Sequence, residues 1–408
     1  MAKQTKQRRR VKGEGTWGKR KINGIEYFYF NKEYNNNDKT FYGRTQQDVK
    51  DKKEKFEKEN GYLSEKEISQ ETFGEYMDNW LKTKKQFSVK PSTYDGYETD
   101  FKNYILNHSI SSIQIGALND DILQHYFNDL TLKYSKGTIS KARTLINQCL
   151  EYAFAKKNIT ANYMSLVTMP NEDNVAKKKK EAKFLSEDDM NKLYQESKRI
   201  NEKGFNFGGK IGQPVYGNNA KAIVLIEYTG LRVGELLGLL WEDYNKESKK
   251  LTIKNNVVTI KNRNKKNENE NNYIKKDSSV KTPSSERIIH LNDRAIEMLD
   301  YFEKQNPNHK PNDNIILNKN RNILGQRNLT KTLNSMQIRA KCEVEKCGLH
   351  ALRHSFGSYL LLNGVDIKIV SSLLGHKDIT TTYNIYIHLI EKQKMDAIDV
   401  FNKFNKDK

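Results

Sequence analysis

The C-terminal half of the chain carries a set of side chains whose types and order suit attack on a phosphodiester. Thr229-Gly-Leu-Arg232-Val-Gly-Glu235-Leu sets Arg232 at a glycine-marked helix start, with Glu235 one turn on, able to orient the guanidinium. His350-Ala-Leu-Arg353-His354 puts His350 and Arg353 on one helix face. Leu374-Gly375-His376 stands ten residues before Tyr386-Ile-His388, and four of the eight histidines fall between 350 and 388. Two arginines offer forked donors to non-bridging phosphate oxygens. Histidines shuttle protons near neutral pH, and a tyrosine hydroxyl is a nucleophile toward phosphorus. No acidic cluster is present to hold two metals, which leaves transition-state charge to the arginines. Taken singly, each residue reads as a surface ion pair or a core histidine; only the ordered set points to chemistry.

Two other patterns do not carry weight. Gly13-Glu-Gly15-Thr-Trp-Gly18 matches GxGxxG, and Gly13 to Lys19 nearly matches a phosphate-binding loop, with Arg20 where Ser or Thr belongs. Both motifs need a preceding strand and a following helix, whereas here a charged arm precedes and a hairpin follows. His350 and His354, four apart, could bridge a metal, but Ala351 stands where the metalloprotease signature has Glu. Neither a bound metal nor a cofactor is expected. Cys149, Cys342 and Cys347 form neither a disulfide framework nor a paired zinc pattern, so a reducing, intracellular compartment is expected.

Lys and Arg total 71 against 51 Asp and Glu, a net charge of +20, which points to a polyphosphate partner and a steep salt dependence. The 408 residues, 36% hydrophobic and 30% charged, suffice for two to four ordered domains. No apolar run of membrane-spanning length occurs, and MAKQTKQRRRVK lacks the apolar stretch of a secretion signal. Neither membrane insertion nor secretion is expected.

These residues must be held by other elements, and the sequence predicts a multidomain α+β chain. In residues 1–66, a basic arm precedes strands over Thr16–Ile22 and Ile25–Phe30 around an Asn23-Gly24 turn. After the loop Asn35–Asp38, a third strand covers Lys39–Gly43, and Thr45 with Asp48 caps a charged helix to Glu59. Residues 70–170 read as an all-α four-helix domain, begun by the stripe Phe73, Tyr76, Met77 and Trp80. Residues 171–182, with their lysine run, read as a linker. Residues 183–408 read as a mainly α domain with a small sheet or hairpin. Its strands are expected at Leu251–Ile260 and Arg287–Leu291, flanking an Asn/Lys-rich loop, and its helices at Ile296–Phe302, Leu329–Cys342 and Leu349–Leu362. A glycine cluster from Gly204 to Gly217 reads as an insertion without an assigned role.

The order and spacing of the reactive set closely resemble the tyrosine recombinase family, the phage-type integrases. Arg232 matches the first arginine of a TGLRxGEL motif, His350 and Arg353 match HxLRH, His376 matches LGH, and Tyr386 opens the Y-x-H ending. Lys281, in Val280-Lys-Thr-Pro-Ser-Ser-Glu-Arg-Ile-Ile-His-Leu291, fits the family's β-hairpin lysine, with Lys275 and Lys276 close by. Tyr383 lies three residues before Tyr386, and the family spacing together with His388 favours Tyr386. His354 reads as a structural partner of Arg353, and Glu235 as the acid that positions an arginine.

The resemblance implies a site-specific recombinase, needing neither metal nor ATP, that integrates and excises a mobile element through a 3′-phosphotyrosine. In it Tyr386 is the nucleophile, Arg232 and Arg353 stabilise the phosphorane, and His350 is the general base. His376 bonds phosphate and Lys281 is the general acid. The three-part layout is similar to integrases of conjugative transposons and lambda-like phages. It implies an N-terminal module for arm sites, a helical domain for core sites, and a synaptic homotetramer that resolves a Holliday junction. Accessory excision and DNA-bending proteins, and a bacterial cytoplasmic setting on the nucleoid, follow. Strand alternation nominates Arg20, Tyr27 and Tyr29 as DNA contacts, against the reading that the two tyrosines form the module's own core. The rival readings are a non-catalytic DNA-binding relative and a type IB-like relaxing topoisomerase.

Overall fold

Asn23 and Gly24 both take positive φ, 50° and 79°, the pair that a two-residue hairpin turn requires. They join β1 (Thr16–Ile22) to β2 (Ile25–Tyr34), which pairs in turn with β3 (Asn37–Gly43) in an antiparallel sheet of order β1-β2-β3. The structure, a computed structural model, describes residues 15–34, 37–60, 69–178, 184–200, 215–265, 273–279, 286–344 and 346–387. The chain divides into two compact units, 1–179 and 180–408. Helices dominate both, with small sheets beside them.

In the first unit, the β2–β3 ladder closes at Tyr34↔Asn37, so Asn37 and Asp38 belong to a strand rather than to the expected loop. Alternation sorts the sheet's two faces. Phe30, Tyr34 and Phe41 are buried with Val49 of α1 (Gln46–Glu59), and Phe28 and Phe56 pack against them. Thr45 caps α1 through a reciprocal pair of bonds with Asp48, at 3.1 and 3.0 Å.

The helical part of this unit begins with α2 (Phe73–Trp80), boxed by Thr72 and Glu75. It continues through a wide turn, Leu81–Lys85, into α3 (Gln86–Ser88). Next come α4 (Pro91–Asp100), with proline at its first turn, α5 (Asp120–Thr131), capped by Asn119, and α6 (Lys136–Ala155). Phe73, Met77, Phe101, Leu123, Phe127 and Ile146 share one core. Val175, in the stretch read as linker, is buried in that same core, and Ala176 donates to the Thr131 carbonyl at 2.8 Å. The packed helical region therefore extends past Pro170.

The second unit is built around α8 (Asn218–Thr229), which is buried from Ala220 to Glu227. An all-round apolar run such as Ala222-Ile-Val-Leu-Ile226 suits only a helix surrounded on every side. About it lie α7 (Glu187–Ser197), α10 (Asp293–Gln305), α11 (Gln326–Ala340) and α12 (Leu349–Leu362). Residue Lys341 takes φ 53° and ends α11 before Cys342. The short α9 (Val233–Leu237) follows α8, and α13 (Ile367–Leu374) precedes a further helix, α14, over 379–387.

Strands β4 (Tyr244–Asn245), β5 (Lys250–Ile253) and β8 (Arg287–His290) form one antiparallel sheet, and β6 (Asn255–Lys261) pairs with β7 (Tyr273–Ser279) in a second. The single strand expected over Leu251–Ile260 is thus broken at Lys254. Strand β7 was not anticipated, because Tyr273-Ile-Lys-Lys-Asp-Ser-Ser279 lacks alternation and is extended by its pairing with β6. Lys281, His388, the C-terminal tail and Gly204, Gly208, Gly209 and Gly212 lie outside the described residues. Among those described, no helix is long and apolar enough to cross a membrane.

Candidate active site

Two helix ends make the cradle. Helix α8 stops at Gly230 (φ 66°) and α13 at Gly375 (φ 63°), left-handed positions that a side chain would strain. At the second stop, Gly375 donates to the Ser372 carbonyl (2.9 Å) and His376 to that of Ser371 (3.1 Å), folding His376 back along the helix. Helix ends leave carbonyls unpaired and carry partial negative charge. Arginines take them up here. Arg353, from the middle of α12, donates Nη1 to the Gly230 carbonyl at 2.7 Å and Nη2 to that of Leu374. Arg232, at the N-cap of α9, donates Nη2 to the Gly375 carbonyl at 3.0 Å.

Glu235 ties the guanidinium groups together. It accepts Arg232 Nη1 at 2.6 Å and the Arg232 backbone N–H at 2.9 Å. Arg287 Nη2, from β8, reaches the same carboxylate at 2.9 Å, and Arg353 Nη1 lies 4.0 Å away. The Glu235, Arg287 and Arg353 side chains are 3%, 7% and 2% exposed, whereas Arg232 is 35% exposed and can still meet a ligand. Burial works against the charge of Glu235, but the bond and charge of Arg287, followed by those of Arg232, outweigh it and hold the carboxyl below its usual pKa. The carboxylate stays ionised because a partner lies on several sides.

The histidines are held neutral by the same field. Desolvation, then the charges of Arg353 and Arg232, lower the pKa of His350. His376 is pushed down to about 3 and His354 to about 4, both first by burial. His350 and His354 meet edge to face at 4.7 Å between centroids, and His354 meets Tyr386 in the same way at 6.2 Å. His376 Nδ1 shares a 2.8 Å hydrogen bond with the buried Thr382 hydroxyl on α14.

Tyr386 is 1% exposed and packs with Leu361, Val370 and Leu374. Its hydroxyl makes no hydrogen bond among the described residues and lies on the backbone of Gly357, where an added Cβ would stand 2.7 Å from the ring Cζ. Burial raises its pKa to about 12, against the pull of Arg353. Tyr383, by contrast, is 37% exposed.

The phage integrase family profile matches residues 183–393, and the N-terminal SAM-like domain of phage integrases matches residues 72–131. The chain belongs to the phage integrase family. Among curated relatives, it is 29% identical over 387 residues to a "Tyrosine recombinase XerC-like" of Caldanaerobacter subterraneus subsp. tengcongensis, covering 89% of this chain and 91% of the other. It is 25% identical to the integrase of Staphylococcus phage L54a, covering 83% and 95%. Its fold is similar to that of the Tn1549 transposon integrase bound to transposon right end DNA, at TM-score 0.61 and 19% identity over 77% of this chain and 94% of that one. A lambda integrase dimer bound to a core site follows at TM-score 0.54 and 17% identity, covering 93% and 96%.

Within this integrase domain, the fold gathers Arg232, Glu235, His350, Arg353, His376 and Tyr386, which come from α9, α12, the end of α13 and α14. Lys281 falls outside the described residues. Lys275 lies on β7 and donates to the Ile323 carbonyl. In the other unit, Arg20 pairs with Tyr27 and Tyr29 with Tyr42 across the strands, on the sheet face opposite Phe28 and Phe30. Tyr27 and Tyr29 are half-buried and Arg20 is exposed, so the two tyrosines are not the module's core.

Two residues of the site, Arg287 and Thr382, escaped the sequence reading. Arg287 left one trace, since it shares the inward face of β8 with buried Ile289, and an inward arginine needs a counter-charge. Thr382 is hidden in a run of three threonines. His354, read from the sequence as a structural partner of Arg353, is also the aromatic bridge between His350 and Tyr386, a placement that helix spacing alone does not give.

Proposed function

We propose that the chain is a site-specific DNA recombinase, an integrase that cuts and rejoins duplex DNA through Tyr386 to move a mobile element in and out of a bacterial chromosome. One observation carries the assignment of roles: Arg232 and Arg353, anchored by Glu235 and two helix ends, converge with His350, His376 and Tyr386. The Tyr386 oxygen attacks the scissile phosphorus, and the bond from phosphorus to the 5′ oxygen breaks. The product is a 3′-phosphotyrosine with a free 5′-hydroxyl. His350, neutral because its pKa is lowered, takes the tyrosine proton. Arg232 and Arg353 stabilise the charge on the non-bridging oxygens, and His376, its Nδ1 engaged by Thr382, gives phosphate a bond from Nε2. Lys281 protonates the leaving oxygen. The phosphotyrosine retains the bond energy, so rejoining calls for neither ATP nor metal.

Before attack, α14 shifts to free the Tyr386 hydroxyl from Gly357. The helical region over 70–170 and the catalytic region over 183–408 hold core DNA, chiefly by its phosphates. The 1–66 module reads separate arm sites through the sheet face bearing Arg20, Tyr27 and Tyr29. Exchange between two duplexes, in a bacterial cytoplasm, requires four protomers, with excision and DNA-bending proteins setting direction.

The test is a nicked DNA carrying the element's own end, incubated with EDTA and run on a denaturing gel. A slow covalent band that is lost in Tyr386→Phe and kept in Tyr383→Phe is the expected result. No band from a chain that binds this DNA would leave a non-catalytic binder. Relaxation of plasmids without an attachment site would favour a topoisomerase.

A further inference from the structure

Arg287 is a buried charge beside the catalytic arginines to which the mechanism above gives no task. It stands at the first position of β8, paired with Ile253 of β5. Two directed contacts of its guanidinium to described residues stand out: Nε donates to the Leu373 carbonyl at 2.7 Å, and Nη2 donates to Glu235 Oε2 at 2.9 Å. Beneath Gly375 it packs so closely that an added Cβ there would stand 2.9 Å from Nη1. One side chain thus bridges the sheet, the end of α13 that turns His376 back, and the carboxylate that orients Arg232.

Placing a third guanidinium here is electrostatically expensive. Like charges gathered in a partly buried site repel one another more strongly than they would in water. A strand-to-helix staple needs no charge, and an apolar side chain would serve it as well. The cation has one advantage over such a staple. It holds Glu235 Oε2 in place, while Oε1 takes Arg232 Nη1 at 2.6 Å. At 7% exposed it is too buried to meet DNA itself.

We propose that Arg287 is a positioning residue for strand cleavage, fixing Glu235 so that Arg232 is presented to phosphate in one geometry. This rests on the recombinase reading given above. Removing it should lower the cleavage step and leave DNA affinity nearly alone, and its effect should pass through Glu235.

The experiment is single-turnover cleavage of the nicked substrate at saturating full-length protein, beside DNA affinity from a binding titration. The chains compared are wild type, Arg287→Ala, Arg287→Lys, Glu235→Gln, Arg287→Ala/Glu235→Gln and Lys281→Ala. Each is run with the ordinary 5′ oxygen leaving group and with a bridging 5′ sulfur, which leaves without a proton. Arg287→Ala should slow cleavage by about ten- to a hundredfold, the size of one lost charge-assisted hydrogen bond, with affinity within about twofold. Arg287→Lys should recover part of the rate, since an ammonium can keep one of the two contacts. The double variant should be no slower than Glu235→Gln alone. Sulfur should rescue Lys281→Ala but not Arg287→Ala.

The proposal is overturned by a wild-type rate in Arg287→Ala, by an affinity loss matching the rate loss, by additive effects in the double variant, or by sulfur rescue of Arg287→Ala. If Arg287→Ala does not fold, as judged by circular dichroism, Arg287→Lys decides. A full rate there would sink the idea, and a slowed rate that falls no further when Glu235→Gln is added would support it. Absence of any covalent product from the wild type would instead refute the recombinase reading.

Discussion

Glu235 does the most electrostatic work of any single residue in the site, because one buried carboxylate faces three guanidinium groups. Glu235→Gln keeps the shape and removes the charge. Breaking a buried pair from one side costs about 3 kcal/mol or more, so the urea midpoint of unfolding should drop together with cleavage; an unchanged midpoint would show that the arginines do not need it. The histidines make a separate prediction. His354 and His376, lowered from an ordinary 6.5 to about 4 and about 3, bind fewer protons folded than unfolded across that interval. Their contribution to stability is therefore full above pH 6.5 and is lost as pH falls toward 4 and then 3. Unfolding midpoints measured from pH 8 to pH 4 should decline, and should decline less steeply in His354→Asn/His376→Asn. Equal slopes would mean that other groups carry the acid sensitivity. In the opposite direction, the lowered pKa of His350 keeps it a base at a pH where an ordinary histidine would take up a proton, so cleavage should extend further toward acid than an unperturbed histidine would allow, as long as the fold holds.

Helix α14 is held at two points, the Thr382 bond to His376 and the seat of Tyr386 against Gly357 and Leu374. Gly357 is a glycine in mid-helix for lack of room, since its missing Cβ is the space that the tyrosine hydroxyl fills. Gly357→Ala should force the ring out and cost about 1–3 kcal/mol of overpacking. Tetranitromethane should then nitrate Tyr386 faster than in the wild type, with exposed Tyr383 as the internal reference; an unchanged rate would mean that α14 adapts without releasing the ring. Strand β7 shows how far an element can depart from its own sequence. Its partner β6 buries Val257 and Ile260, and the β7 backbone is extended by that ladder.

Across the whole molecule, the excess of basic residues should make DNA binding fall steeply with salt, and a site contacting six to ten phosphates loses about three to five orders of magnitude between 50 and 200 mM. Replacing Arg20, Tyr27 and Tyr29 together by Ala should weaken arm-site binding while leaving cleavage of a core-only nicked substrate unchanged; loss of both would place those residues in folding. Much of the chain was legible beforehand because its signals are local. A glycine-marked helix start, a capping Thr45, an Asn23-Gly24 turn, and arginine and glutamate three apart are each settled by neighbours in sequence. The family resemblance was legible for the same reason, since its motifs are short and ordered. The tertiary structure alone decided that Arg287 joins Glu235 across 52 positions, that His376 is tied to Thr382, and that Tyr386 is buried while Tyr383 is not. Charge compensation and close packing act through space between elements far apart in the chain, and no window of sequence contains both partners.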